Sequence, residues 1–314
     1  MTPLTISETA RWLLEQEQLL LLTHIRPDGD TLGSAAALCL GLRQLGKQAQ
    51  ILKNPGVTQK YLHLVEGLTA EAVPEGATVV SVDVATAGLL TDRRLEGQVQ
   101  LRIDHHETGD SFAPLELLAP TAASSGDIIY DLLLEMGVTL DAPMAEALYT
   151  AVSTDTGCFR YANTNAHAYR VAAACYEAGG QLHRINQEIF DTNALARLRL
   201  QGWIVENLRL SAGGQVAVCA LPLEVEKKLQ LTEDDLENVS GFPRSVEGVR
   251  MAATLRQTED GKVKISVRAV PGYDAAAVCA HFGGGGHKGA AGATTALSLE
   301  ETAAQIAAIM EEWF

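Results

Sequence analysis

The residues best able to do chemistry in this chain stand in four short clusters. The first is Thr23-His24-Ile25-Arg26-Pro27-Asp28-Gly29-Asp30-Thr31-Leu32-Gly33-Ser34. It sets one imidazole and two carboxylates in a turn, where Pro27 and Gly29 let Asp28 and Asp30 point at different targets. Hard carboxylate oxygens beside an imidazole suit a divalent metal. The same Asp-Gly-Asp also reads as an ordinary turn whose carboxylates shape the backbone and cap the next helix. The other clusters are Asp83, Asp104-His105-His106 and Ser153-Thr154-Asp155-Thr156-Gly157. Taken alone, the paired histidines have an exposed polar loop as their other, lesser reading. Four such clusters, holding three histidines and five aspartates, exceed what turn chemistry explains.

The flanking segments say how those clusters are positioned. Leu19 to Leu22 reads as a short buried strand, and the alanine-rich run 34–45, closed by Gly46, as a helix. Further strands are expected at 48–53, 79–83 and 99–104, the last two ending on carboxylates. Thr5 and Glu8 are spaced as a capping box for a first helix over 5–16. Strands alternating with helices indicate parallel β-α units, whose strand ends share one edge of the sheet, so these side chains can converge. Helices follow at 127–136, 142–153 and 165–178, and a further helical stretch over 185–210 reads as a connector.

The C-terminal part changes character. A strand at 216–221, a short acidic helix capped by Thr232, and a hairpin of 250–257 with 262–269 around Glu259-Asp260-Gly261 are expected. A helix over 275–282 precedes Gly283-Gly284-Gly285-Gly286-His287-Lys288-Gly289-Ala290-Ala291-Gly292, and Ser298 with Glu301 caps a last helix. The expected division is a first domain over 1–184, a helical connector over 185–212 and a second domain over 213–314.

Composition narrows the function classes. The 314 residues suit two domains, and 47% apolar content is ordinary for a globular protein. A formal net charge of −15 with only 24 Lys and Arg ill suits a grip on long nucleic acid, where phosphate neutralisation dominates affinity. A small phosphorylated ligand in one local pocket remains compatible. No apolar run is long enough for a membrane span, and no signal-peptide pattern opens the chain. Five scattered cysteines form neither a disulfide framework nor a CxxC zinc site, so a cytoplasmic location is expected.

In order and type, the four clusters resemble the motifs of the DHH phosphoesterase superfamily, named for its Asp-His-His signature. The glycine stretch ending in Gly286-His287 resembles the GGGH…AAG pattern of the DHH-associated C-terminal domain. The resemblance covers essentially the whole chain, and a two-domain layout without extra modules is similar to the branch of nanoRNases and 3′-phosphoadenosine-5′-phosphate (pAp) phosphatases. It implies an α/β fold: a parallel-sheet catalytic domain with helices on both faces, and a smaller α/β substrate-binding domain across a cleft.

Carried over residue by residue, the resemblance assigns His24, Asp28 and Asp83 to one metal. It assigns Asp30, His105, Asp155 and again Asp83 to a second. The ions would be two Mn²⁺, with Mg²⁺ or Co²⁺ as alternatives. Asp104 is expected to hold an imidazole by its other nitrogen, and His106 to face the scissile phosphate, so His106, Asp83 and Asp104 form the catalytic group. Such a site hydrolyses a phosphoester with an activated water and no covalent enzyme intermediate.

Gly284, Gly285 and Gly286 would let backbone N–H groups approach a phosphate, with His287 and Arg268 as further donors. The GK[ST] ending of a Walker loop is absent, and a glycine hinge is the other reading of the stretch. Arg160, in Phe159-Arg160-Tyr161-Ala162-Asn163-Thr164, fits a substrate contact or an arginine packed on a helix face. Ala269 after Arg268 departs from the serine of many relatives.

The implied substrates are short RNA oligonucleotides and pAp, handled by a monomer or homodimer, with no membrane or long duplex as partner. RecJ-like exonuclease, linear or cyclic dinucleotide phosphodiesterase and family II pyrophosphatase are the rival activities. A regulator without turnover is the reading from another class, but it would be expected to lack one of Asp28, Asp83 or Asp155. His63, His167, His183 and His281 stand apart from the clusters, and Cys158 reads as an inert thiol.

Overall fold

The computed structural model describes residues 2–236 and 239–314, and it divides into two compact units between Thr192 and Asn193. The first unit runs β1 (Thr2–Pro3), α1 (Ile6–Glu15), β2 (Gln18–Leu22), α2 (Gly29–Gln44), β3 (Gln48–Leu52), α3 (Leu62–Val65), β4 (Thr69–Ala70) and β5 (Thr78–Val82). It continues with β6 (Val99–Asp104), β7 (Leu115–Leu118), α4 (Ser125–Glu135), α5 (Ala142–Asp155), α6 (Ala166–Glu177) and α7 (Leu182–Asn186).

Its seven strands lie in the order β1-β7-β6-β5-β2-β3-β4 and every pairing is parallel. Strand side chains alternate between faces, so the four-leucine run of β2 serves two cores. Leu19 and Leu21 join Val80, Val82, Leu101 and Ile103 under the α-helices. Leu20 and Leu22 join Val79, Val84, Leu90 and Leu95 on the opposite face, which 3-10 helices at Ala87–Leu89 and Arg93–Gln98 cover.

Two stretches read as helical differ from the sequence reading. Helix α2 begins at Gly29 rather than at 34, because Asp28 caps it: its side chain accepts from the backbone N–H groups of Asp30 and Thr31. Asp30 therefore sits in the first turn of a helix and not in a loop. The stretch 185–210 is not one helix. Helix α7 passes into a π-helical turn at Gln187–Asp191, and the chain then leaves helical geometry before the second unit begins.

That second unit contains α8 (Leu195–Asn207), β8 (Arg209–Ser211), β9 (Val216–Leu221), α9 (Leu223–Leu229), α10 (Glu233–Leu236), β10 (Met251–Gln257), β11 (Val263–Ala269), α11 (Ala275–Ala280), β12 (Gly285–Gly286), β13 (Ala290–Thr295) and α12 (Leu299–Glu311). The sheet order is β12-β13-β11-β10-β9-β8, antiparallel throughout except for the parallel β9–β10 pair. One of its faces buries Val216, Val218, Met251 and Val267 with Ile306 and Met310 of α12. The stretch Val270-Pro271-Gly272-Tyr273 after β11 is anchored by Tyr273, whose ring stacks on Phe314 at 5.0 Å.

Candidate metal centre

Five elements of the first unit deliver their polar side chains to one place. The chain leaving β2 carries His24, and the start of α2 carries Asp28 and Asp30. The residue after β5 is Asp83, the end of β6 carries Asp104-His105-His106, and α5 ends on Asp155. His24 Nε2 lies 3.7 Å from Asp28 Oδ1 and 3.8 Å from Asp83 Oδ2. His105 Nε2 lies 3.6 Å from both Asp30 Oδ2 and Asp83 Oδ1, and 3.8 Å from Asp155 Oδ2. His106 Nδ1 is 3.7 Å from Asp83 Oδ1.

These separations are too long for hydrogen bonds, yet the atoms face one another. The donor atoms of His24, Asp28 and Asp83 lie within 4.8 Å of one another, and so do those of Asp30, His105 and Asp155. Asp83 stands between the groups, with one oxygen toward each histidine. Mixed imidazole nitrogen and carboxylate oxygen at this spacing suits divalent cations such as Mn²⁺ or Mg²⁺.

The electrostatics point the same way. Burial pushes the Asp30 carboxyl up to about 6, against the pull of His105, and repulsion from Asp28 adds to the rise. Burial and then the charges of Asp30 and Asp28 push Asp155 up to about 8. Asp83 is raised well above the carboxylate range by burial and by Asp30, Asp28, Asp104 and Asp155. Asp30, Asp83 and Asp155 thus resist ionising in the protein alone. Against the cost of burial, Asp28 is shifted the other way, chiefly by the neighbouring His24 imidazole. A cation placed among the three raised carboxyls would relieve their repulsion.

The local backbone explains how the cluster is held. Asp83 adopts φ 59°, a left-handed conformation uncommon for a residue with a side chain, of the kind that concentrates at functional sites. Its Oδ1 accepts from Ser125 Oγ at 2.9 Å. Asp30 accepts from the backbone N–H groups of Ser125 at 2.8 Å and Gly126 at 3.0 Å, buried donors of the first turn of α4 that have no acceptor within the helix. Gly126 must lack a side chain, because a Cβ there would meet Ala151 Cβ at 2.6 Å. Asp155 Oδ2 has Asn163 Nδ2 at 3.4 Å, and that amide also donates to Ala123 O and to the Asp155 carbonyl.

Asp104 is fully buried beneath the two histidines. Its Oδ1 lies 2.7 Å from His106 Nδ1 and also accepts from the backbone N–H of His105. The other histidine turns its Nδ1 to the carbonyl of Ala122, 3.4 Å away, which leaves Nε2 for the cluster. Burial disfavours ionised Asp104, but the hydrogen bond from His106 and the charges of His106 and Arg102 hold its carboxyl below the ordinary value. In return Asp104 raises the His106 imidazole. Ser125, Gly126, Asn163 and Arg102 were not singled out from the sequence. Only Ser124-Ser125-Gly126 before a helical run carried a readable signal, that of an N-terminal cap.

Arg160, in the first unit, is exposed and donates from Nε to the Gly157 carbonyl at 2.6 Å. Burial raises the Cys158 thiol, which favours its protonated form. The remaining site residues of the sequence reading lie in the second unit. Arg268 of β11 pairs with Ala290 of β13, and Gly286 of β12 pairs with Ala291, so both reach the same end of the sheet. Gly284 packs where a Cβ would meet the Gly292 carbonyl at 2.2 Å, and Gly286 has φ 142°. Gly285, Gly286 and His287 are exposed. Glycine is required here by close backbone approach, as well as suiting a phosphate cradle.

Comparison with known proteins agrees with this geometry. The family profile "DHH family, N-terminal domain" matches residues 18–152, and the "DHHA1 domain" matches residues 213–314. A bifunctional oligoribonuclease and PAP phosphatase NrnA from Thermus thermophilus is 34% identical over 274 residues, covering 87% of this chain and 82% of its own. The Bacillus subtilis protein of the same name is 26% identical over 294 residues, 92% of each chain. The crystal structure of an exopolyphosphatase-related protein from Bacteroides fragilis shares the fold at TM-score 0.84 and 24% identity, covering 98% of this chain and 95% of that one. The chain belongs to the DHH family of phosphoesterases, with a DHHA1 domain in its second unit.

Proposed function

We propose that this protein is a Mn²⁺-dependent phosphoesterase that hydrolyses short oligoribonucleotides to mononucleotides and removes the 3′-phosphate from pAp. The observation that carries the reading is the convergence of His24, Asp28, Asp30, Asp83, His105 and Asp155 around two adjoining sets of donor atoms. Relatives named as oligoribonucleases and PAP phosphatases supply the substrate class. When bound, the two cations supply Lewis acidity and lower the pKa of a water nucleophile.

The chain's own residues do the rest. His24, Asp28 and Asp83 would hold one cation; Asp30, His105, Asp155 and Asp83 would hold the other. Ser125 and Gly126 fix Asp30, so that ligand does not reorganise during turnover. His106, kept protonated at Nδ1 by Asp104, serves the transferred phosphoryl group as a donor or charge. In the second unit, Gly284, Gly285, Gly286, His287 and Arg268 form a phosphate-binding element, and Arg160 of the first unit is a further candidate substrate contact. Among the described residues no helix is long and apolar enough to cross a membrane. With all five cysteines free, a cytoplasmic enzyme acting on soluble nucleotides fits.

The test is release of mononucleotide from a labelled diribonucleotide in Mn²⁺, run in parallel with pAp, a longer RNA and pyrophosphate. Turnover of the dinucleotide and pAp above the other two, lost in Asp83→Ala, is the expected result. Preference for pyrophosphate or long RNA, or equal turnover by the variant, would overturn the assignment.

A further inference from the structure

We propose that Arg102 is a positioning residue for the reaction: it clamps Asp104 together with the loops after β5 and β6, and through Asp104 it fixes the ring of His106. The inference rests on the reading above, in which His106 serves the phosphoryl group.

Arg102 is 2% exposed and is the largest fully buried side chain among the described residues. A buried guanidinium is costly unless its donors are met. Here Nε donates to the Val84 carbonyl at 2.9 Å, one amino group donates to the Asp110 carbonyl at 3.0 Å, and the other pairs with Asp104 Oδ2. Its guanidinium carbon lies over the Phe112 ring, 5.4 Å from the centroid, and Glu116 Oε1 is 3.7 Å from Nη1.

Each partner belongs to the site. Val84 follows Asp83, and Asp110 lies in the loop that continues from His106. The Asp110 N–H donates to Ala85 O, so the two loops are tied directly as well. Asp104 spends Oδ2 on Arg102 and Oδ1 on His106 Nδ1. The carboxylate is therefore oriented from both sides, and the imidazole inherits that orientation. Along β6, Leu101 and Ile103 turn to the helical core, so Arg102 and Asp104 share the other face of the strand. A lysine would keep the charge but lose the fork that reaches three acceptors.

The experiment compares the wild type with Arg102→Met, Arg102→Lys, His106→Ala and the Arg102→Met/His106→Ala double variant, each checked for folding by its melting transition. With a diribonucleotide and saturating Mn²⁺, Arg102→Met should lower kcat by about 10–100-fold, the scale seen for outer partners of metal sites, with KM nearly unchanged. Arg102→Lys should fall between. In the His106→Ala background the same Arg102→Met change should cost little more, because the two residues act in series.

A readout independent of turnover is the ¹H–¹⁵N spectrum of histidine-labelled, metal-free protein. The signal of His106 Nδ1 bonded to Asp104 should move strongly in Arg102→Met and less in Arg102→Lys. Full multiplication of the two losses, an unchanged kcat, or an unmoved His106 signal would overturn the proposal. Should Arg102→Met not fold, Arg102→Lys decides by the same kcat and the same signal. If the wild type fails to cleave the dinucleotide, the proposed function falls, while the His106 signal still tests the clamp.

Discussion

Without metal, the first unit should lose stability as pH rises, and the cluster at the sheet edge sets how much. Burial lifts the Asp30 carboxyl to about 6, against about 3.9 in an unfolded chain. A group whose folded pKa is raised binds its proton more tightly when folded. Its stabilising effect is complete below the unfolded value and is lost as pH climbs through the folded value. For Asp30 the full span is on the order of 3 kcal/mol. Of this, about half, on the order of 1 kcal/mol, falls between pH 5 and 7, which for a unit of this size lowers the melting temperature by a few degrees. Asp83 and Asp155 act with the same sign, and Asp155, raised to about 8, extends the loss to higher pH.

The assay is calorimetry in a chelator at pH 5, 6, 7 and 8, for the wild type and Asp30→Asn. The wild-type transition of the first unit should fall over this range, and the variant should fall less steeply between pH 5 and 7. Adding Mn²⁺ should reverse the fall, by about 2.7 kcal/mol for each site held at 100 times its Kd. The second unit contains none of these carboxyls and serves as an internal control. A metal-free transition that stays level or rises from pH 5 to 7, with the same slope in Asp30→Asn, would refute the reasoning.

Asp83→Asn should lower dinucleotide turnover by about 10²–10³-fold or more, with a melting transition retained, because this residue faces both donor sets. Gly33→Ala should unfold the first unit about 6–12 °C earlier, a cost of about 3 kcal/mol. Its Cβ would meet the Ala147 carbonyl at 2.3 Å and the Ala151 nitrogen at 2.9 Å, forcing α2 from α5. Arg268→Ala should raise KM for pAp and dinucleotide with a smaller effect on kcat, measured by initial rates.

How much of this was readable in advance depends on where the determining partner lies. The capping boxes of Thr5 with Glu8 and Ser298 with Glu301 are local, and both form as read. The β10–β11 hairpin is local too. Strand β13 was not readable, because Ala290–Thr295 lacks large apolar residues and is a strand only through its pairing with β11. Arg102 was hidden for a related reason: in the alternation of Leu101, Arg102 and Ile103 a charged residue reads as the solvent-facing position, and only tertiary folding supplies its three acceptors. The first cluster is the instructive case, since a helix cap and a metal ligand looked like alternatives. Asp28 Oδ1 accepts from the N–H groups of Asp30 and Thr31 and also lies 3.7 Å from His24 Nε2. A carboxylate has about four acceptor positions on its two oxygens, so capping leaves capacity for a cation. The cap in turn starts α2 early enough to carry Asp30 onto the N–H groups of Ser125 and Gly126. Turn chemistry is thus the means by which the site is assembled.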